Sequence, residues 1–146
     1  MSNNIALRLN PYLSNLVVSF AKFHDLHWFV KGQMFVQVHQ YTEARYDDLA
    51  AKFDEVAEKI IMKGEKPVST LKEYLELATI KELNNKDYKD VQALDIVLAD
   101  TELLYNQAVE LRNAFDKDGE FTIVAMLEEH IASYEKEIWF LRSMFN

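Results

Sequence analysis

Two histidines and three carboxylates form the most promising chemical pattern in this chain. His39, Glu43, Asp54 and Glu58 lie in one stretch, and His27 precedes His39 by twelve residues. Imidazole nitrogen and carboxylate oxygen together suit Fe(II), Zn(II) and similar divalent ions. The chain has no cysteine. Thiolate sites, iron–sulfur clusters and cysteine nucleophiles are therefore excluded, and nitrogen and oxygen ligands would hold any metal.

The candidate ligands in the stretch from His39 share one face of a predicted helix. At about 100° per residue and with His39 at the origin, Glu43 lies at about 40°, Asp54 at about 60° and Glu58 at about 100°. Ala57 lies in the same arc, where a small side chain lets another helix approach closely. His39 and Asp54 are separated by about 22 Å along the helix axis. One helix alone cannot bring them to one ion.

A second copy of the chain would remove this distance problem. The midpoint of His39 and Glu58 and the midpoint of Glu43 and Asp54 both fall between residues 48 and 49. A two-fold axis there would set His39 opposite Glu58 of the partner subunit, and Glu43 opposite Asp54 of the partner subunit. We therefore predict two equivalent metal sites per dimer, with His27 as a further nitrogen ligand. Spacing alone leaves three alternatives open. The carboxylates could form a solvated acidic face, the histidines could be structural, and the common midpoint could be a coincidence in a chain with 24 acidic residues.

The elements that must position these residues are helical. The 146 residues are 49% hydrophobic, with only three glycines and two prolines, which disfavours turn-rich sandwiches, barrels and solenoids. The pattern predicts a first helix that starts at Asn10-Pro11 and is ended by Gly32 in the left-handed αL conformation. A second helix follows from about Met34 to Lys63, and then a short helix, capped by Ser69 or Thr70, reaches about Ala78. After a polar loop at 84–89, a third long helix runs from about Asp90 to Phe115, and a turn at 116–119 leads to a last helix from Phe121 to Phe145.

Four long helices in a single domain, 1–146, predict a four-helix bundle. The connection of about 25 residues between helices 2 and 3 can cross such a bundle, which is the ferritin-like arrangement. No His follows a Glu at the spacing of the intramolecular di-iron motif, since Leu127 stands three residues before His130. A di-iron site inside one subunit is therefore predicted to be absent.

Charge and hydropathy limit the partners. The net charge of −8 opposes binding to nucleic acid and to anionic membranes. No apolar run approaches the roughly 20 residues needed to span a bilayer, and the first ten residues do not resemble a signal peptide. We expect a soluble, cytoplasmic protein.

Several motifs together resemble the Dps family, the mini-ferritins also called DNA-binding proteins from starved cells. They are the segment HWFVKG at 27–32, His39, the segment DEVAEK at 54–59, Gly64, Pro67, the segment TLKEY at 70–74 and Ile138-Trp139. The resemblance covers nearly the whole chain. It implies a ferritin-like four-helix subunit with a short helix in the long connection between helices 2 and 3, assembled into a hollow dodecameric shell.

The resemblance also implies a chemistry and a set of ligands. Ferroxidase sites at two-fold interfaces would oxidise Fe(II), preferably with hydrogen peroxide, and ferric mineral would be stored in the shell. The ligands would be His27 and His39 of one subunit with Asp54 and Glu58 of its mate. Zinc or another divalent ion could occupy the same site. Glu43 stands where the family commonly has Asp, and its role as a ligand is open.

Trp28 resembles the family's tryptophan beside the site, which intercepts oxidising equivalents. An aromatic residue of a subunit interface is the alternative interpretation. The segment Asp116–Glu129 corresponds to the family's acidic three-fold pore, and Asp116 fits that role. Phe121 and Ala125 stand at positions where relatives often carry acids. Asp118, Glu120 or Glu128 could take the place of those acids. A simple polar turn at 116–119 is the alternative.

Two other functions stay open from the sequence. The first is a nucleoid protein that binds and protects DNA, although Arg8 is the only cation among the first ten residues. The second is a metal-free helical oligomer with a purely structural role.

Overall fold

The structure, a computed structural model, describes residues 4–144. Its elements are α1 (Ile5–Phe29), β1 (Val30–Lys31), α2 (Phe35–Met62), α3 (Leu71–Leu77), β2 (Tyr88–Lys89), α4 (Asp90–Lys117) and α5 (Phe121–Met144). Two compact units divide the chain after Val97, so α4 begins in the first unit and ends in the second. None of the helices in the described part of the chain is long and apolar enough to cross a membrane.

The first unit is organised around the hairpin of α1 and α2. Apolar residues of α1 recur every three or four positions and are buried, as in Leu9, Leu13, Leu16 and Phe23. This spacing places them on one stripe of the helix, and α2 presents a matching stripe. The buried apolar residues of the α2 stripe are Val38, Leu49, Val56 and Ile60. The predicted bounds of α2 are confirmed to within one residue at each end.

The predicted start of the first helix at Asn10-Pro11 is wrong. α1 begins at Ile5, and Pro11 lies inside it. Proline removes the hydrogen bond that residue 11 would donate to the carbonyl of Leu7. Leu7 is 73% exposed, so water can hydrate that carbonyl, and the helix continues through the proline.

The connection after α2 is fixed to α1 by three polar side chains. Main-chain N–H groups donate hydrogen bonds to these side chains between α1 and the connection. The acceptors are the carboxylate of Glu65 and the amide oxygens of Asn10 and Asn15. The donors are Ile5 and Ala6 for Glu65, Val68 for Asn10, and Thr79 and Ile80 for Asn15. Asn15 is fully buried, and its hydrogen bonds offset the desolvation of its amide.

The predicted cap of the short helix is confirmed at Thr70. Its hydroxyl accepts from the N–H of Glu73, and the Glu73 carboxylate accepts from the N–H of Thr70, which completes a capping box. Hydrogen bonds from the N–H of Ser69 and from Thr70 lower the pKa of Glu73. The charged form of Glu73 is therefore part of what holds α3 in place.

The turn between α1 and α2 departs from the prediction. α1 ends at Phe29 rather than at Gly32, and the next two residues pair in parallel with β2, inside the predicted polar loop. Gly32 has φ 132°, outside the αL region. A Cβ on Gly32 would lie 2.3 Å from Oδ2 of Asp90. That oxygen accepts from the N–H of Met34 at 3.0 Å. The start of α4 therefore clamps the turn that joins the two histidine-bearing helices.

In the second unit, the remainder of α4 is followed by α5. α4 ends at Lys117, close to the predicted Phe115, and α5 begins at Phe121 as predicted. Gly119 has φ 72° in the turn between them, a conformation that glycine adopts without steric cost. The predicted end at Phe145 lies outside the described residues.

Candidate metal centre

The two imidazoles of the α1–α2 hairpin are held by reciprocal hydrogen bonds. Nδ1 of His27 lies 2.6 Å from the carbonyl oxygen of His39, and Nδ1 of His39 lies 2.8 Å from the carbonyl oxygen of His27. The two rings stack with their centroids 3.7 Å apart and an angle of 14° between their planes. Each histidine therefore fixes the orientation of the other.

The hydrogen-bond partners determine which ring nitrogen carries the proton. A carbonyl oxygen can only accept, so each Nδ1 carries a hydrogen and donates it. In the neutral imidazole, Nε2 then carries the free lone pair. This is the arrangement in which a histidine ligates a metal ion while its other nitrogen is held by a carbonyl. The hairpin thus presents two oriented nitrogen atoms of the kind that ligate metal ions.

The position of His27 near the end of α1 explains why its carbonyl is available. The last four carbonyls of a helix lack partners within the helix, and α1 ends two residues after His27. His39 is in the second turn of α2, so the short connection brings its ring to that carbonyl. The spacing of twelve residues between the histidines is the length of this turn plus the adjoining helix ends.

Thr42 is a further residue of this site that the sequence reasoning missed. It is fully buried, and its hydroxyl donates to the carbonyl of Val38 at 2.8 Å. The same oxygen lies 3.3 Å from Nδ1 of His27 and 3.1 Å from the carbonyl oxygen of His39. Thr42 therefore supports the hydrogen bond that orients His27. Its place one turn after Val38 and three residues after His39 was the only available signal.

Glu43 lies beside the imidazole pair. Its Oε1 is 3.8 Å from Nε2 of His27, and its side chain is 57% exposed whereas that of His27 is 8% exposed. This distance is too long for a hydrogen bond. It is shorter than two ligand bonds of about 2.1 Å placed end to end, so the distance itself allows both atoms to bind one ion.

Asp54 and Glu58 are not brought to the imidazoles within this chain. Both are exposed on the later half of α2, about 22 Å or more along the helix from His39 at 1.5 Å per residue. Among residues 4–144, no group of three or more His, Asp or Glu side chains could hold a metal ion. This chain therefore keeps two sets of candidate ligands apart. We call His27 and His39, with Glu43 beside them, the imidazole half-site, and Asp54 with Glu58 the carboxylate half-site; their role as ligands stays a prediction.

Trp28 is 63% exposed and lies next to a cluster of aromatic rings. Its ring is 5.5 Å from that of His24, and His24 stacks on Tyr46 with centroids 3.6 Å apart. The ring of Tyr46 meets that of His27 edge-on at 5.3 Å. Trp28 is thus connected to the imidazole half-site through two intervening rings.

Two of the acids assigned to the pore segment, Asp116 and Glu128, are paired with the same cation. Arg112 donates to Glu128 at 3.0 Å and lies 3.6 Å from Asp116. This pairing reduces the negative charge at the position where iron entry was predicted. Phe121, at the start of α5, is 83% exposed. The use of this segment as a pore stays a prediction.

Comparison with known proteins gives consistent matches along the chain. A family model described as a ferritin-like domain matches residues 6–146. A DNA protection during starvation protein from Helicobacter pylori is 33% identical over 130 residues, which cover 89% of this chain and 90% of that protein.

Two solved structures extend the comparison to three dimensions. Dps from Listeria monocytogenes superposes with a TM-score of 0.93 at 31% identity, covering 99% of this chain and 94% of that one. A Dps protein from Vibrio cholerae O1, described as a member of a broad superfamily of ferritin-like diiron-carboxylate proteins, has a TM-score of 0.93 at 26% identity. That match covers 98% of this chain and 89% of the other.

Proposed function

Since the chain belongs to the ferritin-like family, and within it to the Dps proteins, we propose that it is an iron-sequestering ferroxidase that protects against oxidative stress. Its substrate is Fe(II), its preferred oxidant is hydrogen peroxide, and its product is a ferric mineral. The mineral is stored in a hollow dodecameric shell of identical subunits. Each ferroxidase site lies between two subunits.

The reciprocal hydrogen bonds between His27 and His39 are the observation that carries this proposal. They leave two Nε2 lone pairs in fixed positions, with the carboxylate of Glu43 beside one of them. Fe(II) lies between the hard and the soft cations, so it is well matched to imidazole nitrogen and carboxylate oxygen. A purely structural role would not require two imidazoles that each use Nδ1 for a main-chain carbonyl and leave Nε2 for another partner.

The missing carboxylates come from the partner subunit. Asp54 and Glu58 of the partner subunit complete the ligand set, because an antiparallel pairing of α2 about a two-fold axis supplies them reciprocally. Carboxylate ligands stabilise Fe(III) more than Fe(II), which favours oxidation. Zinc would compete for the same ligands, since its preferences for imidazole and carboxylate overlap with those of iron.

Oxidation of two Fe(II) ions by one peroxide avoids the formation of hydroxyl radical. Two Fe(II) ions supply the two electrons that reduce one hydrogen peroxide to two waters, with two protons taken from solvent. No hydroxyl radical is released in that reaction. The Fe(III) ions then hydrolyse and pass as mineral into the shell.

The decisive experiment combines native mass and stopped-flow absorbance on the same sample. We expect wild-type shells to oxidise Fe(II) rapidly with peroxide, and His39→Ala and Asp54→Ala to lose this fast phase while keeping the assembled mass. Gln40→Ala and Glu55→Ala are matched controls, because each changes the exposed neighbour of a ligand and should retain the rate. Unchanged rates in both ligand variants would reject the site. Anaerobic titration without saturable Fe(II) binding would instead favour a metal-free oligomer.

Direct protection of DNA by binding is the second candidate, because curated relatives carry the name DNA protection during starvation protein. The net charge of −8 per subunit opposes it, since attraction to phosphates requires Lys and Arg. We expect no gel shift at low salt, with or without divalent ions. A shift that weakens steeply as salt rises would establish DNA binding as a function of this protein.

A further inference from the structure

The exposed apolar surface of α2 is confined to the two ends of the helix. Phe35 and Val36 lie at its start and Ile61 and Met62 at its end, and these four side chains are between 40% and 71% exposed. Between them, every exposed residue of α2 is either polar or an alanine. Apolar groups in water gain free energy when another surface covers them. The two ends of α2 are therefore suited to contact with another molecule.

The four apolar residues have the same midpoint as the candidate ligands. Positions 36 and 61, and likewise positions 35 and 62, are centred between residues 48 and 49. The spacing of the candidate ligands places a two-fold axis at that point. Because the exposure of apolar groups is independent of the ligand spacing, two separate features of α2 indicate the same axis. An antiparallel copy of α2 would lay its last turn on the first turn of this one.

Val36 and Ile61 lie in the middle of the helix face that carries the candidate ligands. With His39 at the origin, Val36 lies at about 60° and Ile61 at about 40°, on either side of a face centred at about 50°. Phe35, at about −40°, and Met62, at about 140°, lie at the two edges of this face. In the antiparallel pair, Val36 would face Ile61 of the partner subunit, with the other two side chains beside them.

This apolar end of α2 adjoins the imidazole half-site. The ring of Phe35 stacks on that of His39, with the centroids 5.1 Å apart and 20° between the planes. Val36 precedes His39 by three residues, about 4.5 Å along the helix axis, and Ile61 follows Glu58 by the same number. The apolar pair would therefore lie next to the ligands, at the end of each site that is farther from the two-fold axis.

We infer that Val36 and Ile61 of the partner subunit form an apolar closure over the outer end of each metal site. This inference rests on the proposed function, because it uses the same antiparallel pairing of α2. The closure excludes water from that end of the site, which strengthens the attraction between a bound cation and the carboxylates. A bound ion cannot leave through the closed end, so its exchange with solvent is slow.

The contact can be located with introduced thiols, because the chain has no cysteine. The double variant Val36→Cys/Ile61→Cys is assembled without metal and treated with a short bifunctional thiol reagent. We expect a covalent dimer on a denaturing gel, since the two positions face each other across the two-fold axis.

Two kinds of control keep the cross-link specific. In Val36→Cys/Ala51→Cys, the second thiol of the partner subunit would lie about 15 Å along the helix from the facing position. In each single variant, Val36→Cys or Ile61→Cys, the two thiols of the dimer would lie about 37 Å apart along the helices. All three controls should run as monomers.

The effect of the closure is measured with Zn(II), which is not oxidised at the site. Assembled shells are loaded with Zn(II), and its transfer to an excess of a chromogenic chelator is followed by absorbance. We expect Val36→Thr and Ile61→Thr to release Zn(II) several-fold faster than wild type. The double variant should be little faster than either one, because both substitutions break the same contact. Val91→Thr, which changes a similarly exposed valine on α4, should release Zn(II) at the wild-type rate.

The outcomes separate the closure from the proposed function. A covalent dimer formed by the 36/61 pair alone, together with faster release from both threonine variants, would establish the closure. No covalent dimer in shells that native mass shows to be assembled, or release at the wild-type rate from both threonine variants, would overturn it. Fast Fe(II) oxidation by wild type would then leave the proposed function standing. A covalent dimer in a protein without fast Fe(II) oxidation would keep the contact and overturn the proposed function.

Discussion

The imidazole half-site and the carboxylate half-site differ in how far one chain completes them. His27 is almost fully buried, its ring stacks on His39, and main-chain carbonyls of the two histidines orient both rings. Asp54 and Glu58 are exposed on α2. The imidazoles are organised by local contacts within a hairpin, and the two carboxylates are exposed.

This difference indicates which ligands are ordered when the chain folds and which depend on association with a second subunit. Orientation of the imidazoles is achieved on folding, so binding an ion to them costs little further ordering. In the proposed function, the carboxylates become ligands only when a second subunit faces them. Coupling oxidation to assembly in this way would keep isolated subunits from oxidising Fe(II) at an incomplete, exposed site.

The largest effect on the imidazole half-site is expected from Gly32→Ala. The new Cβ would lie 2.3 Å from Asp90 Oδ2, in a backbone conformation of φ 132°. Urea titration should show that the free energy of unfolding is lower by at least about 2 kcal/mol, and the rate of fast Fe(II) oxidation should fall as well. Gly64→Ala is the control, since Gly64 also has positive φ but has open space around it. Equal losses in the two variants would show that the contact with Asp90 is unimportant.

The next largest effect is expected from Thr42→Val, which removes the hydroxyl beside His27 and keeps the shape. Anaerobic Fe(II) titration should show an affinity about tenfold weaker, as is common when a group that orients a histidine ligand is lost. Thr101→Val changes another buried threonine, which is on α4, and should leave the affinity unchanged. An unaltered affinity in Thr42→Val would mean that the two carbonyls suffice.

A smaller effect is expected from Glu43→Gln, which tests whether Glu43 belongs to the ligand set. The amide keeps the length of the side chain but removes the charge 3.8 Å from Nε2 of His27. The rate of Fe(II) oxidation should fall by a few fold, and by less than in Asp54→Asn. A loss as complete as that of Asp54→Asn would make Glu43 an essential ligand.

The smallest effect is expected at Glu73, outside both half-sites. Its pKa is lowered from 4.5 in the folded chain, so its charge stabilises the fold above that pH, and the contribution is lost as the pH falls through the folded value. Wild type should therefore be slightly more stable than Glu73→Gln at neutral pH, and the two should converge on acidification. A difference that persists in acid would assign the effect to geometry instead of charge.

Much of the fold could be predicted from helix periodicity. The long second helix, the Thr70 cap and the ferritin-like arrangement are confirmed, because each depends on local pattern or on the lengths of helices and connections. The start of α1 and the pairing of β1 with β2 could not be predicted. They depend on Glu65 and on residues 88–90, which are distant in the sequence.

The candidate site divides in the same way. The residue types and the spacing of His27 and His39 pointed to a metal ligand pair, but their reciprocal hydrogen bonds and the support of Thr42 depend on the geometry of the turn. The pairing of Arg112 with Glu128 could not be predicted from the sequence either, because it joins residues of two helices that are sixteen positions apart.

Mixing His39→Ala subunits with Asp54→Ala subunits tests most directly whether the two half-sites belong to different chains. After dissociation and reassembly, half of the randomly formed dimers combine one subunit of each kind, and one of their two sites contains every ligand. We predict that about one quarter of the sites regain fast Fe(II) oxidation. No recovery in shells that native mass shows to be mixed would contradict it.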